Sequence, residues 1–243
     1  VIARGPAPYC GWVLVATANI LDRLDRDRAA EALASVLDHG PDVVGLQEWG
    51  LTRRTVLAAH DAYGWVAPLY GGNAVGFRRD RFVLLGHGLR FVANAGLADR
   101  DARPIRILPP RATTLVRLLD RATDSATSVI DYHLVPGVQS RGTYRPDRPR
   151  LVGRHRSETR RLGALVARRL ADGDVVIAVG DSNFDGFELP GLVSAWYGRR
   201  DDPAGTLGSS RKVDDVFGAV AATAVSLVRT ASDHAAVLAQ RPD

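Results

Sequence analysis

Between positions 174 and 183 the chain reads D-V-V-I-A-V-G-D-S-N, and this stretch limits the fold more than any other. Its apolar run is short and mostly β-branched, which predicts a strand buried on both faces of a covered sheet. The run ends in Gly180 and a polar triplet, Asp181-Ser182-Asn183. A carboxylate and an amide therefore stand at a sheet edge, on a rigid support that a ligand can reach. Taken alone, the same residues describe an ordinary Asx-type turn. Other strands that end the same way separate the two readings.

Residues 11–19 read as a buried strand ending in Asn19. Residues 26–37 carry Ala29, Ala30, Leu33, Val36 and Leu37 at helical spacing, with Asp22 or Asp25 able to cap the start. His39-Gly40-Pro41 stops that helix, and residues 42–48 form a second buried strand ending in Glu48. A helix between two strands makes a β-α-β unit, so the strands are expected to be parallel. Asn19 and Glu48 then share one edge of the sheet.

Further along, residues 52–61 are expected to be helical. Short strands over 65–69, 73–78, 82–85 and 89–92 suggest an antiparallel meander. Residues 98–110 read as a loop rich in Pro and Arg, followed by strands over 111–118 and 126–134, the second containing His133. A Gly-, Pro- and Arg-rich loop over 136–149 precedes an amphipathic helix over 157–170, with Ser157 as its cap. Residues 184–210 look irregular. Strands over 212–217 and 222–228 are expected to pair, and Ser232-Asp233-His234 leads into a last strand at 235–239. With no internal repeat, low-complexity tract or linker, residues 1–243 are expected to form one domain.

The 243 residues are 46% hydrophobic and 24% charged, ordinary values for a globular chain able to bury a large core. No apolar run approaches the ~20 residues that span a bilayer. The first ten residues show no signal-peptide pattern; the chain holds no Met, so its first residue need not be the translated one. Cys10 is the only cysteine, which excludes an intrachain disulfide and a cysteine-based metal cluster and suits a cytoplasmic location. Net charge is +5, and Lys212 is the only lysine among 32 basic residues. Arginine grips phosphate in a bidentate fork, although GC-rich coding explains its abundance equally well. Its distribution is more telling. Residues 141–169 hold ten arginines against Asp147 and Glu158, a local excess of +8 on a remainder of −3. Such a concentrated basic region points to an anionic partner.

The polar residues gathered at strand ends are Asn19, Glu48, His133, Asp181, Asn183, Asp214, Asp233 and His234. The segments A-T-A-N, P-D-V-V-G-L-Q-E, D-Y-H-L, V-G-D-S-N, K-V-D-D-V-F and S-D-H-A-A-V, in this order, span nearly the whole chain. Together they resemble the endonuclease/exonuclease/phosphatase superfamily, which includes DNase I-like nucleases and abasic-site endonucleases of the exonuclease III type. The resemblance implies an α/β (α+β) fold, a four-layered sandwich of two packed mixed sheets flanked by helices. Its active site would lie where loops from both sheets meet.

The resemblance also implies roles. Glu48 is the expected ligand of a magnesium ion (Mg2+, with Mn2+ as a substitute), an ion that takes oxygen ligands and needs few carboxylates. Asn19 and Asp233 complete or flank that metal site. Asp181 orients or deprotonates the attacking water, and Asn183 holds the water or a phosphate oxygen. Asp214 hydrogen-bonds His234, raising its pKa and fixing its tautomer; Asp215 next door is the alternative partner. His133 contacts the scissile phosphate and Arg111 a further phosphate oxygen, with Arg141 and Arg145 as additional substrate contacts from the basic stretch. His39, His60, His87 and His155 match no motif and read as structural or exposed. Two departures stand out. Ser182 replaces a commoner Phe or Leu, and Ile20-Leu21-Asp22 lacks the acid that some abasic-site endonucleases carry two positions after the asparagine.

The expected activity is a magnesium-dependent phosphodiesterase, a nuclease acting on DNA rather than RNA. The alternative keeps the machinery but takes a phospholipid head group, an inositol phosphate or a nucleotide, since fold does not fix substrate. Against it, the arginine and the W-C-D-R segment of inositol phosphatases are missing. A non-catalytic nucleic-acid binder needs a broken site, whereas every expected polar position is filled. Strand preference, endo or exo mode, metal stoichiometry and oligomeric state are left open.

Overall fold

The computed structural model describes residues 11–242, apart from 101, 102, 200, 203 and 209; Cys10 lies outside the described residues. β1 (Trp12–Asn19), α1 (Arg26–Leu37) and β2 (Val43–Gln47) form the expected β-α-β unit, with parallel strands that pair Asn19 with Gln47. Asp25 starts α1 by accepting from the Arg28 amide at 2.8 Å, one of the donors a first turn leaves free. The next helix is shorter than expected: a 3-10 turn (Leu51–Arg53) runs into α2 (Arg54–Leu57). β3 (Tyr63–Val66) and β4 (Ala74–Arg78) pair antiparallel beside β2.

The expected pair of strands over 82–85 and 89–92 is a single one, β5 (Phe82–Ala93). Gly86 and Gly88 resemble turn residues, but the chain passes them with a register shift between Leu84 and Gly86 and stays in the ladder. The expected loop over 98–110 contains a hairpin, β6 (Gly96–Arg100) and β7 (Arg103–Leu108). Then come β8 (Arg111–Asp120) and β9 (Ser125–His133). β5 pairs with β8, so the expected meander is divided between two sheets. A small hairpin, β10 (Gln139–Ser140) and β11 (Thr143–Tyr144), occupies the loop before α3 (Pro149–Ala171). β12 (Val175–Asp181), β13 (Val193–Ser194), β14 (Asp214–Gly218), β15 (Ala224–Val228) and β16 (Ala236–Pro242) complete the chain. β14 and β15 do not pair as expected: β14 lies against β12, and β15 against β16 in the other sheet.

α3 begins eight residues before Ser157, with Pro149 in its first turn and no side-chain cap from Arg148. The cap comes from far away. Asp99 on β6 accepts from the amides of Arg150 (2.7 Å) and Leu151 (3.3 Å). A local sequence pattern holds no trace of such a partner.

Four layers result. One sheet runs β15-β16-β1-β2-β4-β3 and the other β13-β14-β12-β9-β8-β5. Val15, Val43, Val75 and Phe77 of the first pack against Val116, Val129, Ile177 and Val179 of the second. Outside, α1 covers Ala16, Ala18 and Val44 with Ala29, Leu33 and Val36, while α3 covers Ile130, Val176 and Ala178 with Leu162 and Val166. At one end of the sandwich, buried Arg81 ties the sheets together: it meets Asp120 at 2.8 Å, Asp42 at 3.3 Å and the Trp12 carbonyl at 2.9 Å.

Register places the polar strand ends. In one sheet Asp181 lies between His133 on parallel β9 and Asp214 on antiparallel β14. Such close spacing needs Gly180, whose φ is +150° and whose added Cβ would sit 1.9 Å from the Tyr132 carbonyl oxygen. Gly180→Ala is therefore expected to cost about 3 kcal/mol or more in urea denaturation. A loss within the ~0.5 kcal/mol of a neutral surface change would contradict the close approach.

Candidate active site

Glu48 follows β2 in the left-handed conformation (φ 58°), which turns its carboxylate over the end of the strand. One oxygen accepts from Asn19 Nδ2 at 3.3 Å, the other from the Asp22 amide at 2.9 Å. Beneath it, Arg53 donates to the carbonyls of Ile20 (2.7 Å), Leu21 (2.8 Å), Leu24 (2.6 Å) and Glu48 (3.4 Å). This one buried guanidinium pins the loop after Asn19 to the turn that carries Glu48.

Asp181 reaches the same point from the second sheet. Its Oδ2 accepts from Asn19 Nδ2 at 3.1 Å and Asn183 Nδ2 at 3.2 Å, and its Oδ1 from the Asn183 amide at 2.7 Å. Asn183 is also left-handed (φ 54°), and its Nδ2 donates to the Leu134 carbonyl at 3.0 Å. His133 Nε2 stands 3.6 Å from Asp181 Oδ2 and 4.0 Å from Glu48 Oε1. His234 Nδ1 lies 2.8 Å from Asp214 Oδ2. Asp215 is not that partner. Neighbouring strand residues face opposite ways, and Asp215 meets the Ser194 hydroxyl and the Ala195 amide instead. Ser232 closes the group by donating to the Asn19 carbonyl at 2.7 Å.

Glu48, His133, Arg111 and Asp233 line an open cleft of about 870 Å³, with Tyr70, Leu108, Pro109 and Pro110 as an apolar wall. Asn19, Asp181, Asp214 and His234 are buried behind it. Arg111 donates through one nitrogen to the carbonyls of His133 (2.7 Å) and Leu134 (3.2 Å). Arg141 and Arg145 lie outside this lining: Arg141 is exposed at the tip of the β10–β11 hairpin, and Arg145 pairs with Asp147. A separate cavity of about 160 Å³ opens among Val13, Phe82, Val176 and Pro242, and none of the strand-end polar residues lines it.

Burial and the neighbouring Asp214 push the Asp181 carboxyl up to about 7, against the pull of His234, the Asn183 amide and Asn19. For His234, burial disfavours the charge. The hydrogen bond to Asp214, with the charges of Asp214, Asp181 and Asp233, outweighs it and carries the imidazole to about 9. Burial, aided by Arg111 and His234, holds His133 well below the ordinary histidine value. His133 on the cleft and His234 behind it thus differ in charge at neutral pH.

The donor set suits a hard cation. Glu48 offers a partly exposed carboxylate, and the buried Oδ1 of Asn19 has no hydrogen-bond partner. Exposed Asp233 stands on the same cleft, its carboxylate 3.4 Å from the Ser232 hydroxyl. Among the described residues, Asp181, Asp214 and His234 also bring ligand-capable atoms within 4.8 Å of one another. There the His234 Nδ1 is already engaged by Asp214, so this cluster reads as a coupled acid–histidine pair.

Sequence reasoning missed Arg53, Arg154 and Tyr70. Arg154 also lines the cleft, tethered by Glu158 at 2.9 Å and by the carbonyls of Asn94 (3.2 Å) and Pro109 (2.6 Å). Neither arginine stands out in a chain so rich in them, and their partners are mostly backbone carbonyls that carry no sequence signal. His155 is structural as expected, buried between the Tyr144 hydroxyl (3.0 Å) and the Ser182 carbonyl (2.8 Å).

No family model matches the sequence, and no curated protein does. Solved structures do match. The catalytic domain of human Nocturnin with bound sulfate anion is 17% identical, with a TM-score of 0.69 over 96% of this chain and 95% of that one. D. rerio TDP2 complexed with single strand DNA product is 15% identical, with a TM-score of 0.64 over 95% and 99%. An endonuclease/exonuclease/phosphatase family protein from Bacteroides thetaiotaomicron is 16% identical, with a TM-score of 0.64 over 94% and 97%. These likenesses run the length of the chain, which therefore has the four-layered fold of the endonuclease/exonuclease/phosphatase proteins.

Proposed function

We propose that this chain is a divalent-metal-dependent phosphoric ester hydrolase, and that it acts as a nuclease on DNA. One observation carries the reading: Asn19, from one sheet, bridges the carboxylates of Glu48 and Asp181 beside His133 and the Asp214–His234 pair. Hydrolysing a phosphodiester requires an activated water, charge stabilisation on the phosphoryl oxygens and help for the leaving oxygen. This set of groups divides into those tasks.

Glu48, the unpartnered Oδ1 of Asn19 and Asp233 would hold the cation, which would supply polarisation of the phosphoryl group and offset its charge. Asp181, poised near neutrality, takes a proton from the attacking water while Asn19 and Asn183 fix the orientation of its carboxylate. His133, neutral at pH 7, donates a hydrogen bond to a phosphate oxygen. His234 is the charged partner, its proton on Nδ1 held by Asp214 and its Nε2 available to the phosphate. Arg111 has donors to spare beyond the two carbonyls it holds, and these meet a further phosphate oxygen. The likeness to TDP2 with a DNA product supports the choice of substrate, as does the arginine-rich stretch over 141–169.

Supercoiled plasmid is expected to be nicked or linearised with magnesium and left intact with EDTA. Absence of metal-dependent cutting by the intact protein would overturn the nuclease reading, and phosphate release from a nucleotide or inositol phosphate would redirect it. Glu48→Gln is expected to lower kcat at least ~100-fold with little change in stability; full activity in that variant would remove Glu48 from the site. The rate should fall above about pH 9 as the His234 imidazolium loses its proton. His234→Gln should be slow and lack that alkaline limb, so an unchanged limb would assign the titration elsewhere.

A further inference from the structure

The outer face of α3 has no part in the chemistry above, yet its charge is unusually one-sided. The helix turns Leu151, Val152, His155, Glu158, Leu162 and Val166 inward. Glu158 is the only carboxylate on the helix, and both its oxygens are engaged inside, by Arg154 Nε at 2.9 Å and the Val135 amide at 2.8 Å. Acids flanking the helix are occupied as well, Asp147 with Arg145 and Asp172 with Arg169. Among the described residues, Arg150, Arg156, Arg160, Arg161 and Arg168 are left exposed with no carboxylate within ion-pair reach. Only Arg156 has another contact, stacking over the Tyr144 ring at 4.8 Å.

Their spacing makes a track. At about 3.6 residues per turn, Arg150, Arg161 and Arg168 fall on one line along the helix, while Arg156 and Arg160 lie roughly 100° around it, on the other flank of the exposed face. From Arg150 to Arg168 the rise is roughly 27 Å. The first turns of the helix lie beside the cleft, which Arg154 lines. The helix ends at the opposite edge, where the chain turns at Gly173 and returns along β12 to Asp181.

We propose that this face is a nucleic-acid exosite that holds the phosphates of a strand leaving the cleft. The proposal rests on the nuclease reading for its substrate, but binding along α3 does not require catalysis. A strongly basic surface could equally suit an anionic membrane. Here the apolar side of the helix is already buried against the sheet, and only Leu170 near the end of the helix stands out as an exposed large apolar residue. An interfacial helix needs the reverse arrangement. Phosphodiester backbone fits a line of bare guanidinium groups.

The test compares intact protein with the triple variant R150Q, R161Q and R168Q in EDTA, so that no cleavage occurs. Fluorescence anisotropy reads binding of two labelled single strands, one short enough for the cleft alone and one of about 30 nucleotides, across a salt series. The long strand should bind roughly 10-fold more weakly to the variant, and the log–log salt slope should fall by about 2, near 0.7 for each phosphate that the variant no longer neutralises. The short strand should bind both proteins equally, and hydrolysis of bis(4-nitrophenyl) phosphate with magnesium should be unchanged. Unaltered affinity and slope for the long strand would overturn the exosite. So would phosphatidylcholine–phosphatidylserine vesicles that bind as tightly as the long strand and lose binding in the variant. If the intact protein hydrolyses no phosphodiester while the long strand still weakens as described, the exosite stands and the reading of the cleft falls. The reverse pattern removes the exosite alone.

Discussion

A single side-chain amide, that of Asn19, donates to a carboxylate from each sheet, and the arrangement of the site depends on that bridge. Glu48 and Asp181 arrive on different layers, far apart along the chain. Asp181 is the buried one of the two, and burial with the charge of neighbouring Asp214 makes it titrate high. The hydrogen bond from Asn19 works against that rise, and the Oδ1 of Asn19 is itself buried without a hydrogen-bond partner. Behind the bridge the sheets are drawn close. Gln47 donates to buried Asp131 at 2.6 Å across the interlayer space, and a Cβ on Gly45 would meet Val179 at 2.3 Å. The spacing of the functional groups is thus set one layer deeper, by core contacts that never meet substrate.

The same framework divides charge. Asp214 lies fully buried beneath His234 and keeps that ring cationic, while His133, at the end of β9 on the far side of β12, is kept neutral by burial and by Arg111. Their difference comes from the partner each strand delivers, and not from distance to solvent alone. Basic charge is handled separately. On the cleft, Arg111 and Arg154 are tethered to carbonyls or to Glu158, whereas Arg150, Arg160, Arg161 and Arg168 on the outer face of α3 have no carboxylate within ion-pair reach among the described residues.

Much of this was legible in the sequence because it is written in strand ends. Short β-branched runs closing on Asn19, Glu48, His133 and Asp181 define both the sheets and the place where they converge, and the parallel register of β1 with β2 follows from the helix between them. What was not legible depends on distant or backbone partners. The β6–β7 hairpin looked like a loop because three arginines and Pro104 interrupt it and Pro109-Pro110 follow it. The start of α3 was hidden because its cap is supplied by Asp99, some fifty residues upstream. The bulged course of β5 was masked by glycines that ordinarily mark turns, and β14 and β15 looked like a hairpin because adjacency in sequence says nothing about a change of layer. Arg141 and Arg145 were nominated from charge density, which identifies a region but not which guanidinium groups face the cleft.

Asp99 has one more consequence. A helix whose first turn is completed by a neighbouring hairpin cannot be regarded as a free-standing rod, because two of its leading amides find their acceptor on that hairpin. The same hairpin leads into Leu108, Pro109 and Pro110, which form a wall of the cleft, and Arg154 grips it from the helix side. Wall and helix are therefore joined twice, through Asp99 at the first turn of α3 and through Arg154 one turn later, so that the inner lining of the groove and the outer surface of the protein share one set of contacts.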